Sequence, residues 1–127
     1  MAKRKTKRKS EHQEQTWLIS MISNFYPHIR RLVFAVPNGG YRRPAEAVRL
    51  VDEGVTAGVS DVICLKRVGE FSGLIIEMKV KGGTVSTKQK EFIDAVESEG
   101  FYTAICWTGQ EAFKTFEEYI RGDYCLL

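Results

Sequence analysis

The segments GVSDVICLK (residues 58–66) and GLIIEMK (residues 73–79) decide the fold of this chain. Each contains a short apolar run between turn-forming residues, which is typical of a buried β-strand. Side chains alternate between the two faces of a strand, so Glu77 and Lys79 lie on one face. A hairpin between the two segments would bring Asp61, at the start of the first strand, beside Glu77, near the end of the second.

Two carboxylates and an ammonium group on one face of a sheet are costly to bury unless they have a task. Asp61, Glu77 and the backbone carbonyl of Met78 offer the oxygen ligands that Mg²⁺ or Mn²⁺ prefers. Lys79 would then orient an attacking water or stabilise charge on a phosphodiester. The alternative is an ion pair between Glu77 and Lys79 at the sheet edge, with no catalytic task.

The chain has 127 residues and a formal net charge of +3, which suits one soluble globular domain. No apolar run approaches the roughly 20 residues of a membrane helix, so we expect no membrane association. The three cysteines have no spacing typical of zinc or of a disulfide framework. These features predict a cytoplasmic protein in a reducing compartment.

The basic residues are concentrated at the N-terminus, where six of the nineteen lysines and arginines lie within residues 1–9. This run predicts a flexible basic tail, followed by a single mildly acidic domain over residues 10–127. A basic tail suits contact with nucleic-acid phosphates without sequence preference. A solvated tail without a partner is the equally weighted alternative.

The apolar periodicity predicts the element order α-β-α-β-β-α-β-α. Helices that alternate with nearly continuous apolar strands indicate an α/β fold, with a mixed central β-sheet flanked by helices. The first strand is predicted over residues 32–36 and the fourth over residues 102–107.

Two polar residues on predicted helices each have two interpretations. Glu14 lies on the core-facing side of the first helix, where it either complements the helix dipole or points toward the carboxylate cluster. Gln89 stands three residues after Ser86, which is the spacing of a capping box. The alternative for Gln89 is that it points back at the metal site and positions water or a phosphate.

Other hydrolase and nucleotide-binding chemistries lack their motifs in this sequence. His12 and His28 have no partner residue at a recognisable spacing. The chain contains no nucleophile elbow, Walker loop or dinucleotide fingerprint.

Five pieces of the sequence form an ordered set: Glu14, Pro37-Asn38-Gly39, Gly58-Val59-Ser60-Asp61, Glu77-Met78-Lys79 and Ser86-Thr87-Lys88-Gln89. In this order they resemble the motifs of the VRR-NUC family, the virus-type replication-repair nucleases of the PD-(D/E)xK superfamily. The resemblance covers about residues 11–120, and Ser60 stands where the superfamily name implies proline before the acid.

This resemblance implies a restriction-endonuclease-like core and a DNA endonuclease that depends on Mg²⁺ or Mn²⁺. It implies catalytic roles for Asp61, Glu77 and Lys79, an auxiliary acidic and metal-binding role for Glu14, and a functional role for Gln89. Expected DNA contacts lie in the two glycine-containing turns and the helix start after the second: Asn38, Arg42, Arg43, Lys81 and Lys88.

Stand-alone domains of this family look like Holliday-junction resolvases, so the resemblance implies branched DNA as substrate. It also implies a homodimer, because two symmetric cuts require two sites. A phage-encoded or bacterial intracellular protein fits this interpretation. The alternatives are a restriction-like or general repair nuclease acting on flaps or duplex DNA, and a DNA-binding module without catalysis.

Overall fold

A computed structural model describes residues 10–37, 43–80 and 82–124. The predicted basic tail, residues 1–9, lies outside these ranges. The same holds for three of the five expected DNA contacts, namely Asn38, Arg42 and Lys81.

The order of helices and strands confirms the predicted one. A 3₁₀ turn at Arg30–Leu32 precedes the first strand, so that strand is shorter than predicted. The elements are α1 (Glu11–Phe25), β1 (Val33–Ala35), α2 (Pro44–Asp52), β2 (Val62–Cys64), β3 (Leu74–Met78), α3 (Thr87–Ser98), β4 (Tyr102–Cys106) and α4 (Gly109–Arg121).

The four strands form one mixed sheet in the order β1-β2-β3-β4, which confirms the predicted fold class. The pairs β1–β2 and β2–β3 are antiparallel, whereas β3 and β4 are parallel and are connected through α3. In the β2–β3 register Val62 lies opposite Ile76. One step further along this register, Asp61 and Glu77 face each other, as the hairpin interpretation predicted.

Helices α1 and α4 pack together against one face of the sheet and enclose the core. Leu18 and Ile22 of α1 are buried there together with Phe116 and Tyr119 of α4. The strands contribute alternate residues to this face, including Leu74, Ile76 and Met78 of β3. The remaining β3 side chains, Ile75 and Glu77, therefore point to the opposite face.

Helix α3 lies on that opposite face. Gln89, near its N-terminus, hydrogen-bonds Glu77 of β3, and Glu97, near its C-terminus, hydrogen-bonds Thr103 of β4. The helix consequently runs antiparallel to the two strands, with its N-terminus beside the C-terminal ends of β3 and β4.

Helix α2 is the least embedded element. Within Pro44–Asp52, every residue of which is described, no side chain is buried. Val48 and Val51, on its apolar side, are 62% and 66% exposed, and Val55 just after the helix is 41% exposed. In the described ranges no helix combines the length and the apolar character needed to cross a membrane.

Candidate active site

Asp61 lies immediately before β2, at the point where the β2–β3 ladder ends. Its carboxylate oxygen Oδ2 accepts a hydrogen bond of 2.8 Å from the backbone N–H of Met78. A side chain thus replaces a backbone partner on this edge of β3. The N–H and C=O of one strand residue point to the same side, so the Met78 carbonyl is also directed toward Asp61.

Glu77 is a buried carboxylate, with only 2% of its surface exposed. Its Oε1 accepts a 2.6 Å hydrogen bond from Gln89 Nε2 and lies 3.5 Å from Lys79 Nζ. Its Oε2 is buried and has no hydrogen-bond partner among the residues that the structure describes. A buried oxygen without a donor is costly in the isolated protein, and it is available to a ligand.

Burial is the largest factor that raises the pKa of Glu77, to about 7, and the nearby charge of Asp61 adds to it. Among the groups that oppose this rise the Lys79 ammonium is the strongest, but it does not cancel the rise. Burial also raises the pKa of Asp61, although the Met78 N–H and Lys79 favour its charged form. Asp61 and Glu77 are adjacent acids that both resist ionisation. A bound divalent cation would favour the ionised form of each.

Gln89 forms the predicted capping box and its side chain also reaches the carboxylate cluster. Its Oε1 accepts hydrogen bonds of 2.9 Å from the Ser86 N–H and from Lys79 Nζ, while its Nε2 donates to Glu77. The amide therefore completes the capping box of α3 and also links the Glu77 carboxylate to the Lys79 ammonium.

Gly58 holds the loop before Asp61 against the first turn of α3. Its φ is +87°, and a Cβ atom there would lie 2.7 Å from the backbone oxygen of Lys88. Only glycine fits this backbone conformation and this close approach without strain. The contact fixes the strand that carries Asp61 relative to the helix that carries Gln89.

Glu14 faces the protein interior, as its helical phase predicted, but the structure places it beside α4. Its Oε2 accepts a 2.7 Å hydrogen bond from the backbone N–H of Gly109, at the N-terminus of α4. Because α1 packs on α4, a side chain on the core-facing side of α1 at this position points toward α4 and not toward the edge of the sheet. A role for Glu14 as metal ligand or auxiliary acid stays a prediction.

Glu11 of α1 is affected by the charges of Asp61 and Lys79, and the sequence did not indicate it. Burial raises the pKa of Glu11 most, the charge of Asp61 raises it further, and Lys79 lowers it. Glu11 and Glu14 are three positions apart and so share one side of the helix. The periodicity could therefore have indicated either acid.

The oxygen donors that the structure brings together are the carboxylates of Asp61 and Glu77 and the Met78 carbonyl. Across residues 10–37, 43–80 and 82–124, no three His, Cys, Asp or Glu side chains form a group able to hold a metal ion. Two carboxylates nevertheless fit Mg²⁺, which keeps several waters and is commonly bound by one or two acids.

Two of the expected DNA contacts are described, and both are exposed. Arg43 is the residue before α2, and Lys88 lies in the first turn of α3, one position before Gln89. Lys88 thus presents its side chain to solvent next to the cluster.

The VRR-NUC domain model matches residues 6–108 of the chain. A solved structure named VRR_NUC domain protein is similar, with a TM-score of 0.78 and 22% sequence identity, and the match covers 91% of this chain and 92% of that chain. No curated protein matches the chain. The family match spans most of the sequence, including the strands that carry Asp61 and Glu77. The chain therefore belongs to the VRR-NUC domain family and is a nuclease domain.

Proposed function

We propose that this protein is a divalent-metal-dependent endonuclease that hydrolyses phosphodiesters in branched DNA, with four-way junctions as the preferred substrate. The observation that carries the proposal is the buried cluster in which Asp61 faces Glu77 while Gln89 connects Glu77 to Lys79. A module that only binds DNA has no use for a buried acid, Glu77, beside a half-buried one, Asp61, where both would face phosphate.

The residues present fit a hard divalent cation. The donor set consists of oxygen atoms alone, from Asp61, Glu77 and the Met78 carbonyl, and Glu77 Oε2 is buried without a hydrogen bond among the described residues. When bound, Mg²⁺ or Mn²⁺ would make a water molecule more acidic and would neutralise charge on the phosphate.

Lys79 is the group placed to stabilise negative charge on the phosphodiester. Its side chain is 14% exposed, and its ammonium is held by Gln89 Oε1 at 2.9 Å. Gln89 fixes this position through a neutral amide, while the Glu77 carboxylate lies 3.5 Å from the same ammonium. We propose that Glu11, whose pKa responds to the charges of Asp61 and Lys79, has the auxiliary acidic role. Glu14, which accepts the Gly109 N–H, is the alternative that the sequence predicts.

The DNA backbone is proposed to cross the exposed cations Lys88 and Arg43. Lys88 lies one residue before Gln89, and Arg43 precedes α2. Asn38, Arg42 and Lys81 keep their predicted roles as further contacts. Contacts of this type position the phosphate chain without reading its sequence.

A homodimer would provide the two active sites that symmetric cutting of a junction needs. Helix α2 offers a described surface for this contact, because Val48, Val51 and Val55 form an exposed apolar patch. A cytoplasmic location is proposed together with this function.

Cleavage of labelled DNA tests the main proposal. A four-way junction, a flap and a plain duplex are incubated with Mg²⁺, with Mn²⁺ or with EDTA. We expect cleavage of the junction only with metal, and its loss in Asp61→Asn and Glu77→Gln. The exposed Glu70→Gln serves as the matched control and should cleave normally. Equal cleavage of all three substrates contradicts the preference for junctions, and full activity of Asp61→Asn contradicts the site.

Light scattering tests the dimer separately. The wild type is expected at twice the monomer mass and Val51→Lys at the monomer mass. Glu53→Lys adds a lysine to the same part of the chain and should leave the mass unchanged. A monomeric wild type would remove this part of the proposal without affecting the chemistry.

A further inference from the structure

Trp107 lies beside the proposed catalytic lysine, and neither motif nor mechanism accounts for it. It is the first residue after β4, and β4 is an edge strand of the sheet. The sequence interpretation treated it only as the end of an apolar strand.

The direction of the Trp107 side chain follows from strand alternation. Cys106 is buried and faces α4, where its sulfur lies 3.8 Å from the hydroxyl of Thr115. The residues on either side of Cys106, namely Ile105 and Trp107, therefore point to the opposite face. This is the face that carries Glu77 and Lys79.

The pairing of β3 and β4 places Trp107 next to Lys79. Met78 lies opposite Cys106, and the backbone N–H of Lys79 donates a 2.9 Å hydrogen bond to the Cys106 carbonyl. The next pair in this parallel register is Lys79 with Trp107. Paired strands lie about 5 Å apart, so the two side chains start as direct neighbours.

Trp107 is also open to a ligand. It is 40% exposed and Ile105 beside it is 43% exposed, although large apolar side chains of this kind are usually buried. None of the ring contacts found among the described residues involves Trp107. Its backbone is held in place, because its N–H donates a 2.8 Å hydrogen bond to Glu111 Oε2.

The ring and its neighbour favour a neutral, flat group bound next to a phosphate. The indole ring is uncharged and partly exposed, and the Lys79 ammonium on the same face would attract a phosphate, whereas the Glu111 carboxylate lies at the Trp107 backbone on the α4 side. A nucleotide whose phosphate lies at Lys79 and whose base lies on Trp107 satisfies both conditions. Every nucleobase has a π-face on which an indole ring can stack.

We propose that Trp107 stacks on a nucleobase adjacent to the scissile phosphate. This inference rests on the proposed nuclease function and adds a substrate-contacting residue to it. Bases within an intact duplex are already stacked, so the contact favours an unpaired or splayed base of the kind found at a branch point. Trp107 would thereby help to select branched DNA over duplex DNA.

Intrinsic fluorescence tests the contact without relying on catalysis. The chain contains two tryptophans, Trp17 and Trp107, and Trp17 packs on Phe113. In Trp17→Phe, which leaves Trp107 as the single tryptophan, fluorescence is measured during titration with oligothymidylate or a four-way junction in EDTA. Binding is followed in parallel by the anisotropy of labelled DNA.

We expect quenching of Trp107 that saturates together with the anisotropy change, and little quenching in Trp107→Phe, which retains Trp17. Bound DNA without quenching overturns the inference but leaves the nuclease function intact. No binding and no cleavage of any DNA overturn the proposed function and this inference together.

Substitution separates stacking from a structural role. Trp107→Ala should weaken junction binding about 10-fold, while Trp107→Phe should retain most of the affinity and duplex binding should change less than about 3-fold. The thermal unfolding temperature and the mass by light scattering are expected to be unchanged. Equal losses on junction and duplex with a lower unfolding temperature, or a change of mass, would assign Trp107 to folding or to a protein contact and overturn the inference.

Discussion

The part of the chain that the structure describes contains two capping boxes with the same chemistry and different surroundings. At α1, Ser10 Oγ accepts from the Gln13 N–H at 3.1 Å, and Gln13 Oε1 accepts from the Ser10 N–H at 2.8 Å. At α3, Ser86 and Gln89 make the same pair of bonds at 3.2 and 2.9 Å. Gln13 is exposed, whereas Gln89 is half-buried and also bonds Glu77 and Lys79.

The comparison teaches that a local motif begins a helix but does not decide what its side chains do. Both glutamines satisfy backbone groups at a helix start. Only Gln89 has a strand beside it that carries two charged residues, so its remaining hydrogen-bonding capacity is used there. The same amide group is a cap in one place and part of a charged cluster in the other.

The largest expected effect comes from removing the charge that Gln89 holds. Lys79→Met should lower the cleavage rate by about 1,000-fold, because a preorganised charge next to the phosphate is lost. It would also remove the lysine that donates a hydrogen bond to Gln89, which makes the surroundings of Gln89 more like those of Gln13. Single-turnover cleavage of a junction measures the effect. The exposed Lys88→Met serves as control and should act mainly on DNA binding, with a loss below about 10-fold; equal losses would contradict the assignment of Lys79.

The matched pair Gln89→Ala and Gln13→Ala tests the comparison directly. Both variants lose a capping interaction worth up to about 1 kcal/mol, so both should unfold at a somewhat lower temperature. Only Gln89→Ala should lose activity, by about 100-fold, because Lys79 and Glu77 lose their shared partner. Cleavage rates and thermal unfolding are measured for both. Similar activities of the two variants would show that Gln89 acts only as a cap.

A smaller effect distinguishes the two acids of α1. Glu11→Gln should lower the cleavage rate about 10-fold, since the Glu11 carboxylate interacts with Asp61 and Lys79. Glu14→Gln should change the rate less than about 3-fold but destabilise the fold by about 1 kcal/mol, because a charged acceptor for the Gly109 N–H is lost. A larger activity loss in Glu14→Gln would restore the role that the sequence predicted for it.

The smallest effect concerns stability in the absence of metal. The folded-state pKa of Glu77 is about 7, above its ordinary value of 4.5. The folded protein therefore holds this proton more tightly than the unfolded chain does, and stability is lost as the pH rises from about 4.5 through 7. Glu77→Gln should remove this loss and raise the unfolding temperature at pH 8 by a few degrees, with little gain at pH 5.

Thermal unfolding in EDTA at both pH values measures this difference, and Glu70→Gln is the control. Added Mg²⁺ is expected to raise the unfolding temperature of the wild type at pH 8 but not that of Glu77→Gln, because ligand binding stabilises only a fold that holds the ligand. A lower unfolding temperature of Glu77→Gln at pH 8 would contradict the burial cost assigned to Glu77.

Much of the site could be predicted from the sequence because it depends on short-range relations. Glu77 and Lys79 are two positions apart on one strand, and a hairpin over a short link brings Asp61 opposite Glu77. The capping-box spacing likewise located Gln89 near a helix start. The sequence could not distinguish Glu11 from Glu14 as the acid nearer to the cluster, because that depends on how α1 packs against α4.

The sequence by itself determined the order of the helices and strands and the positions of Asp61, Glu77 and Lys79. Periodicity and turn residues act locally, and they encode this information directly. Only the tertiary structure decided that Gln89 reaches Glu77, that Glu14 caps α4 and that Trp107 lies beside Lys79. These contacts depend on the docking of α3, on the packing of α1 against α4 and on the parallel pairing of β3 with β4, respectively, which join residues far apart in the chain.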